Sequence, residues 1–144
     1  MTNISSQNLP KYFNEKMKIF ETEISGDKIG LSVSGGGDSI ALLYLMHKWA
    51  NKNKKKIFVA TVDHCLREES ANEVKAVKNI CIKLNIECEI LKWNNWNENG
   101  NLQDAARLAR SELIGNWALS LDLNAVATGH TSDDQAETFL MRLA

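Results

Sequence analysis

Short runs of strand-forming residues alternate along this chain with longer segments in which apolar residues recur at helical spacing. The strand-forming runs lie at residues 28–34, 56–63, 88–93 and 124–128. Strands that alternate with helices of ten or more residues pair in parallel, because each helix returns the chain to the start of the next strand. The sequence therefore predicts a doubly wound α/β fold, with a mainly parallel sheet and helices on both of its faces.

A helical pattern follows each of these runs. Apolar residues recur every three or four positions over residues 38–50 and 71–85, from Leu102 to Trp117, and from Ser132 onward. Such spacing places the apolar side chains on one face of a helix. The helix predicted from Ser132 has no cap or glycine to end it, so we expect the domain to continue beyond Ala144.

The N-terminal segment has the same spacing. Its apolar residues are Tyr12, Phe13, Met17, Phe20 and Ile24, which would share one helical face. No internal repeat or long linker divides the rest of the chain. We expect an N-terminal helix within residues 1–27 that packs on the core, and one domain over residues 28–144.

Composition restricts the class of protein. The 144 residues are 44% hydrophobic and 24% charged with a net charge of −1, which is typical of one globular domain rather than a basic nucleic-acid coat. No apolar run approaches the ~20 residues of a bilayer span, and the N-terminus lacks a secretory apolar region. We therefore expect a cytoplasmic protein with no membrane partner. Three cysteines without a CxxC pair argue against a disulfide framework or a zinc ribbon.

Three consecutive glycines lie between the first predicted strand and its helix, flanked by serines. The segment consists of Ser34, Gly35, Gly36, Gly37, Asp38 and Ser39. Glycines let a backbone approach a ligand closely and adopt angles that other residues avoid. The free N–H groups at the start of a helix favour an anion. At the carboxyl end of a strand, this pattern predicts a cradle for the phosphates of a nucleotide.

Asp38 falls in the first turn of that helix, where its charge repels a phosphate unless a cation lies between them. Mg²⁺ resolves this conflict, because it binds through one or two carboxylates together with substrate phosphates. We therefore predict that Asp38 is a metal ligand. The alternative is a tight turn in which Asp38 or Ser39 is an ordinary helix cap.

Four strings of this chain resemble, in order, the tRNA(Ile)-lysidine synthases of the PP-loop ATP pyrophosphatase superfamily. SGGGDS (34–39) is similar to the superfamily signature SGGxDS, and VDHCLREES (62–70) is similar to VDHGLRxxS, with Cys65 where glycine is commoner. NLQDAARLAR (101–110) resembles the NxxxARxxR helix start, with one more residue between Asn101 and the ARxxR part at 106–110. ATGHTSDDQAETFLMRL (127–143) resembles the ATAHHxDDQAETxLxRL block, with departures at Gly129 and Thr131.

This resemblance implies an adenine nucleotide alpha hydrolase-like fold and an ATP-dependent ligase. Such an enzyme adenylates carbon-2 of the wobble cytidine in the isoleucine tRNA with a CAU anticodon and releases pyrophosphate. The amine of free L-lysine then displaces AMP and gives lysidine. The resemblance thus implies ATP as co-substrate, Mg²⁺ as cofactor, and that tRNA and free lysine as partners. It leaves a homodimer open and places further tRNA-binding regions outside this chain.

The resemblance also assigns roles at the end of the second strand. In the family this segment borders the adenosine site, so Asp63 and His64 are predicted nucleotide contacts. The alternative for His64 is a solvated loop residue.

Arg107 and Arg110 are three residues apart, so they share a helical face turned away from the apolar stripe. Two cations near a helix start oppose the helix dipole, which indicates a nearby polyanion. The match to ARxxR favours a catalytic role for Arg107 and a nucleotide contact for Arg110. The alternative is surface solvation, with salt bridges to Asp104 or Glu112.

The final block carries several groups that could serve acid–base or metal chemistry. On the predicted helix, Asp133 and Glu137 are four residues apart and share a face beside His130. We assign Asp134 and Glu137 to metal or pyrophosphate handling, and His130 and Asp133 to contacts around the adenylated base. The predicted catalytic residues are Asp38, Arg107, His130, Asp133, Asp134 and Glu137, and the predicted metal ligands are Asp38 and Asp134. The alternative is an ordinary Ser132 cap with acidic residues in the first turn.

Two other functions stay open on the sequence alone. A sulfur-inserting PP-loop tRNA enzyme would need catalytic cysteines, and this chain has no CxxC pair. A module that binds ATP without turnover would not need the carboxylates of the final block.

Overall fold

The computed structural model describes residues 18, 26–65, 68–93, 100–123, 125–132 and 135–142. Within these residues the elements are, in order, β1 (Lys28–Ser32), α1 (Gly37–Asn53), β2 (Lys56–Asp63), α2 (Glu68–Lys83), β3 (Glu87–Lys92), α3 (Leu102–Ser120), β4 (Ala125–Ser132) and β5 (Gln135–Arg142). The predicted alternation of strands and helices is therefore confirmed as far as β4.

The strands form one sheet in the order β3-β2-β1-β4-β5. β1 pairs in parallel with β2 on one side and with β4 on the other, and β2 pairs in parallel with β3. β5 pairs with β4 in the antiparallel direction. The carboxyl ends of the four parallel strands consequently lie at one edge of the sheet, where a doubly wound fold binds its ligands.

Helices cover both faces of the sheet, as predicted. On one face, α1 and α2 bury Leu43, Met46 and Val77 against Leu31 and Val59. The two faces of β2 differ because successive side chains of a strand point in opposite directions.

On the other face, α3 buries Ile114 and Trp117 against Phe58, Ala60 and Val126. β2 is thus buried on both faces, which explains why its sequence is a nearly continuous apolar run.

The predicted helix from Ser132 onward is wrong. Residues 135–142 form β5, whose register with β4 runs from Ser132↔Gln135 to Ala125↔Arg142. β1 occupies one edge of β4, and the N–H and C=O groups of its other edge pair with β5. This pairing outweighs the helical spacing of Ala136, Phe139 and Leu140, because local propensity is a weak preference that tertiary context overrides.

Some predictions fall on residues that the structure leaves undescribed. The N-terminal helix predicted within residues 1–27 lies outside the described residues, apart from helical Lys18 and the bend at Gly26 and Asp27. Within the part of the chain that is described, none of the helices combines the length and the hydropathy that a bilayer-spanning segment requires.

Candidate functional site

The glycine loop joins the carboxyl end of β1 to the first turn of α1. The N–H of Ser34 donates to Oγ of Ser39 at 2.8 Å, and the N–H of Gly36 donates to Oγ of Ser34 at 3.4 Å. Ser39 is buried at 1% exposure, so its hydroxyl fixes the loop from inside. The two serines that flank the glycines thereby hold the shape of the loop.

The start of α1 is left without a side-chain cap. The N-cap residue is Gly36, which makes no side-chain hydrogen bond, and its carbonyl accepts the first helical bond from Ile40 at 3.0 Å. Asp38 and Ser39 thus lie in the first turn of α1 and not at its N-cap position. An uncapped helix start leaves amide N–H groups and the positive end of the helix dipole for an anion.

Space, rather than backbone angle, explains the glycine at position 35. Positive φ angles occur among the described glycines at Gly26 and Gly100, so the expectation of unusual angles within the loop is wrong. A Cβ built on Gly35 would lie 2.9 Å from Cβ of Glu73 on α2. A Cβ built on Gly37 meets nothing within 4 Å, so this glycine leaves open room beside the helix start.

Asp63, at the end of β2, is held by donors from the loop that follows and from α2. Its Oδ1 accepts from the Ser70 hydroxyl at 2.6 Å and from the N–H of Cys65 at 2.9 Å. These two bonds, that of Ser70 first, lower the pKa of Asp63 below its ordinary value. Asp63 is 7% exposed, and Oδ1 is thus committed to protein donors. A nucleotide contact by Asp63 would have to use its other atoms.

His64 forms the next wall of the site. Its ring lies edge-on to Trp93 with the centroids 5.8 Å apart, and its Nδ1 is buried without a hydrogen-bond partner among the described residues. Burial lowers the pKa of His64, and the charge of Arg110 lowers it further, while Asp63 opposes them. The lowered pKa favours the neutral imidazole, and His64 is half-buried rather than fully solvated.

A cavity of about 430 Å³ lies between these elements at the carboxyl edge of the sheet. Its lining includes Gly35, His64, Ser70, Glu73, Leu102 and Ala106. The volume falls within the range of small-molecule sites. A larger cavity of about 750 Å³ lies at the amino ends of β2 and β3, beside His47 and Lys55. We favour the smaller one, because ligands of doubly wound folds bind at the carboxyl edge.

The two arginines of α3 differ in their surroundings. Arg107 is exposed, and its Nη2 lies 3.5 Å from Oδ1 of Asp104. This is the salt bridge that the alternative interpretation expects, and exposed pairs of this kind contribute little to stability. Arg110 is half-buried, and burial followed by the charge of Arg107 lowers its pKa. The charge of Arg110 acts on His64, which lines the cavity, although the cavity lining includes neither arginine.

For some of the predicted site residues the structure describes only the backbone, and others lie outside the described residues. Asp38 occupies the first turn of α1. His130 and Glu137 are directly paired across β4 and β5, so the structure brings them together through a ladder and not through a helix. Asp133 and Asp134 lie outside the described residues. The predicted sharing of a helical face by Asp133 and Glu137 is wrong, because Glu137 lies in a strand.

The metal prediction depends on Asp38. Among the described residues, no group of three or more His, Cys, Asp or Glu side chains could hold a metal ion. Mg²⁺ that arrives with a nucleotide does not need such a group, since phosphates and water complete its ligand shell. The backbone of Asp38 lies in the first turn of α1, so Asp38 stays the predicted ligand of such an ion.

Sequence reasoning missed Ser70 and Glu73 as parts of this site. Ser70 closes the string VDHCLREES, which was a usable signal. Glu73 carries no signal of its own, because its contact with Gly35 exists only after α2 packs beside the loop.

Comparison with known proteins agrees with this geometry. A sequence model of the PP-loop domain matches residues 5–144. The chain belongs to the PP-loop domain family. This membership supports ATP use and agrees with the α/β fold.

Curated relatives of this PP-loop chain include two bacterial enzymes. It is 49% identical over 116 residues to a tRNA(Ile)-lysidine synthase from Ruegeria pomeroyi, covering 81% of this chain and 28% of that protein. It is 45% identical over 116 residues to a tRNA(Ile)-lysidine synthase from Rickettsia rickettsii, covering 81% of this chain and 24% of that protein. The chain thus spans about a quarter of the length of these relatives.

A solved structure shares the fold. The U34-tRNA thiolase NcsA from Methanococcus maripaludis, determined with its 4Fe-4S cluster, matches with a TM-score of 0.69 over 85% of this chain and 46% of its own. The two sequences are 18% identical, so this likeness concerns the fold alone.

Proposed function

We propose that this PP-loop domain activates ATP in a tRNA(Ile)-lysidine synthase. The reaction is the ATP-dependent ligation of free L-lysine to carbon-2 of the wobble cytidine in the isoleucine tRNA with a CAU anticodon. The observation that carries the proposal is the 49% identity over 81% of the chain to an enzyme of that name. The uncapped helix start beside a cavity of about 430 Å³ supports the ATP half of the reaction.

The glycine loop would bind the triphosphate. The N-cap residue Gly36 makes no side-chain cap bond, and the open space at Gly37 would let phosphate oxygens approach the amides of the first turn. Donors fixed in advance by the fold stabilise developing negative charge without reorganisation. Mg²⁺, when bound, would neutralise charge between the triphosphate and Asp38, with Asp134 as its second predicted ligand.

The wall at the end of β2 would receive the base of the nucleotide. His64 is neutral at pH 7 because burial lowers its pKa, so it can bind an uncharged ring without bringing a charge into the cavity. Its buried Nδ1 has no partner among the described residues, and a ligand group would satisfy it. Asp63 would contribute indirectly through Oδ1, or directly through its other atoms.

The adenylation step transfers AMP to the tRNA. The oxygen at carbon-2 of the cytidine attacks the α-phosphorus, the bond between the α-phosphorus and its bridging oxygen to the β-phosphate breaks, and pyrophosphate leaves. Arg110, which is half-buried and whose charge acts on His64, would stabilise the developing charge on the phosphates. Arg107 lies further out, and its predicted catalytic role would require it to leave Asp104.

The ligation step needs a base for the incoming amine. The lysine nitrogen attacks carbon-2, the bond to the AMP oxygen breaks, and the nitrogen loses a proton. His130 and Glu137 are adjacent across β4 and β5, so they form a candidate acid–base pair. Asp133 lies between them in sequence and stays a predicted contact of the adenylated base.

The test uses the full-length protein with ATP, Mg²⁺, radiolabelled lysine and an isoleucine tRNA transcript with a CAU anticodon. We expect lysine incorporation with stoichiometric release of AMP and pyrophosphate. A transcript with a GAU anticodon is the matched control, because it lacks the wobble cytidine. Sulfur transfer to the CAU transcript, or ATP binding without incorporation, would refute the proposal.

The cellular setting is part of the same proposal. The protein would act in the cytoplasm, where ATP, free lysine and tRNA occur together. A homodimer is a separate expectation, and light scattering on the purified protein tests it.

A further inference from the structure

We propose that Ser70 is a positioning residue for ATP, which acts by tying the start of α2 to Asp63 and thereby sets the gap between the glycine loop and His64. The inference rests on the proposed function only in taking the cavity at the carboxyl edge as the ATP site. It concerns a residue whose hydroxyl points away from its own helix and toward the sheet.

The hydrogen bond between Ser70 and Asp63 is short and has a charged acceptor. The Ser70 hydroxyl donates to Oδ1 of Asp63 at 2.6 Å, within the range of hydrogen bonds to a charged acceptor. Asp63 is buried at 7% exposure, and the same oxygen also accepts from Cys65. Hydrogen bonds to an ionised group are roughly twice as strong as neutral ones. The bond therefore fixes α2 to the end of β2.

Glu73, on the same helix as Ser70, lies against the glycine loop. Glu73 follows Ser70 by three positions on α2, so the two side chains share a helical face. Cβ of Glu73 lies 2.9 Å from the place where a Cβ on Gly35 would be, and its Cγ lies 3.2 Å from that place. The loop backbone thus rests directly on α2. A shift of the start of α2 would move the phosphate cradle with it.

Asp63 is also connected, through Trp93, to His64 in the wall of the cavity. The carbonyl of Asp63 accepts a hydrogen bond from the N–H of Trp93 at 2.9 Å. The ring of Trp93 in turn lies edge-on against His64, with the centroids 5.8 Å apart. Asp63 therefore holds His64 in place through its backbone and α2 through its side chain. Ser70 connects the two walls.

A purely local role does not explain this geometry. α2 begins at Glu68, so Ser70 lies within the first turn and not at the N-cap. Its hydroxyl donates out of the helix to β2, whereas a capping serine accepts from amides of its own helix. The hydroxyl therefore serves the contact between two elements that both line the cavity.

The test compares Ser70→Ala with Ser70→Thr in the full-length protein. Equilibrium binding of ATP with Mg²⁺ is measured first, followed by kcat and KM for ATP and for lysine. Ser70→Ala should weaken ATP binding about tenfold, the scale set by a lost hydrogen bond to a charged group. KM for lysine should stay unchanged. Ser70→Thr keeps the hydroxyl and should restore ATP binding to within about twofold.

Two controls separate positioning from simple destabilisation. Ser120→Ala removes another helical serine hydroxyl, which donates to the carbonyl of Trp117 at 2.7 Å near the far end of α3. This variant should lose some thermal stability and bind ATP normally. Loss of the Ser70 bond should also raise the pKa of Asp63. As the pH is lowered, ATP binding by Ser70→Ala should therefore begin to weaken at a higher pH than ATP binding by the wild type.

The outcomes also separate this inference from the proposed function. If Ser70→Ala binds ATP normally, or if Ser70→Thr binds it as weakly as Ser70→Ala, the positioning role is wrong. If the wild type binds ATP without incorporating lysine, the proposed function fails, and a Ser70→Ala defect in ATP binding would still support the positioning role.

Discussion

Gly35 rests directly on Glu73, and a β-carbon added to Gly35 would lie 2.9 Å from that of Glu73. The glycine is therefore required by the packing of α2 against the loop, and not by an unusual backbone angle. Gly37, two residues later, has open space around the same position. Packing thus requires glycine at Gly35, whereas the open space at Gly37 leaves room for the proposed approach of a phosphate.

The different surroundings of Gly35 and Gly37 predict that alanine has opposite effects on stability at these two positions. Gly35→Ala should lower the free energy of unfolding by about 1–3 kcal/mol, because the new Cβ meets atoms close to the α2 backbone. Gly37→Ala should leave stability unchanged or raise it by up to about 1 kcal/mol, since it lies in a helix without a clash. Gly37→Ala should nevertheless weaken ATP binding, because its Cβ fills the open space. Urea unfolding and equilibrium ATP binding measure the two effects.

A second substitution checks the cause of the Gly35 effect. Replacing Glu73 by glycine removes the Cβ that the methyl group added by Gly35→Ala would meet. The double variant should therefore lose less stability than the sum of the two single variants. Strict additivity would show that the contact between Gly35 and Glu73 is not the cause.

The carboxylate of Asp63 should make stability depend on pH in the acid range. Hydrogen bonds from Ser70 and Cys65 hold its folded pKa below the ordinary value of 3.8. Its stabilising contribution is therefore complete above 3.8 and declines as the pH falls toward the lower folded pKa. Asp63→Asn cannot titrate, so the stability difference between wild type and variant should shrink as the pH falls from about 5 to about 2.

Urea unfolding at several pH values measures this difference. Asp104→Asn is a suitable control, since Asp104 is exposed and pairs loosely with Arg107 at 3.5 Å. A difference between wild type and Asp63→Asn that is the same at every pH would contradict the prediction.

The sequence predicted the parts of this structure that depend on local pattern. β2 begins and ends where its apolar run does, and the glycine loop lies at the predicted junction. The bond between Ser70 and Asp63 joins residues seven positions apart, and nothing in their identities requires a serine in a first helical turn to reach back to a strand. Such contacts appear only when α2 is packed against the sheet.

β5 is a second example of a structure that local sequence pattern does not predict. Ala136, Phe139 and Leu140 have the spacing of a helical face, which predicts a helix for this segment. The structure instead pairs this segment with the available edge of β4. The availability of that edge depends on the strand order of the whole sheet, which local spacing does not encode.

The ends of the helices offer a prediction about stability. The C-cap of α1 is Lys54, which adopts the left-handed conformation with φ 56° and ψ 42°. This conformation costs an L-residue with a side chain roughly 1–2 kcal/mol, and glycine avoids the cost. Lys54→Gly should therefore raise the free energy of unfolding by about 0.5–1 kcal/mol, after the greater freedom of glycine in the unfolded chain is subtracted.

The control for this prediction is Asn85→Gly. Asn85 follows α2 with φ 57°, and asparagine tolerates the left-handed region better than lysine does. It should gain less stability than Lys54→Gly in the same urea experiment. A loss of stability in Lys54→Gly would show that the lysine side chain stabilises this turn by more than the strain costs.

The two arginines of α3 should differ in their effect on His64 and on catalysis. Burial is the larger cause of the lowered His64 pKa, and the charge of Arg110 is the second. Arg110→Gln should therefore raise the His64 pKa toward, but not to, 6.5, as measured by NMR titration of the imidazole. Arg107→Gln is the matched control and should leave that pKa nearly unchanged, because Arg107 is exposed and lies beside Asp104.

In the full-length protein, Arg110→Gln should slow pyrophosphate release about 100-fold, the scale of one lost donor to a developing charge. An equal or larger loss in Arg107→Gln would assign the phosphate contact to the outer arginine instead.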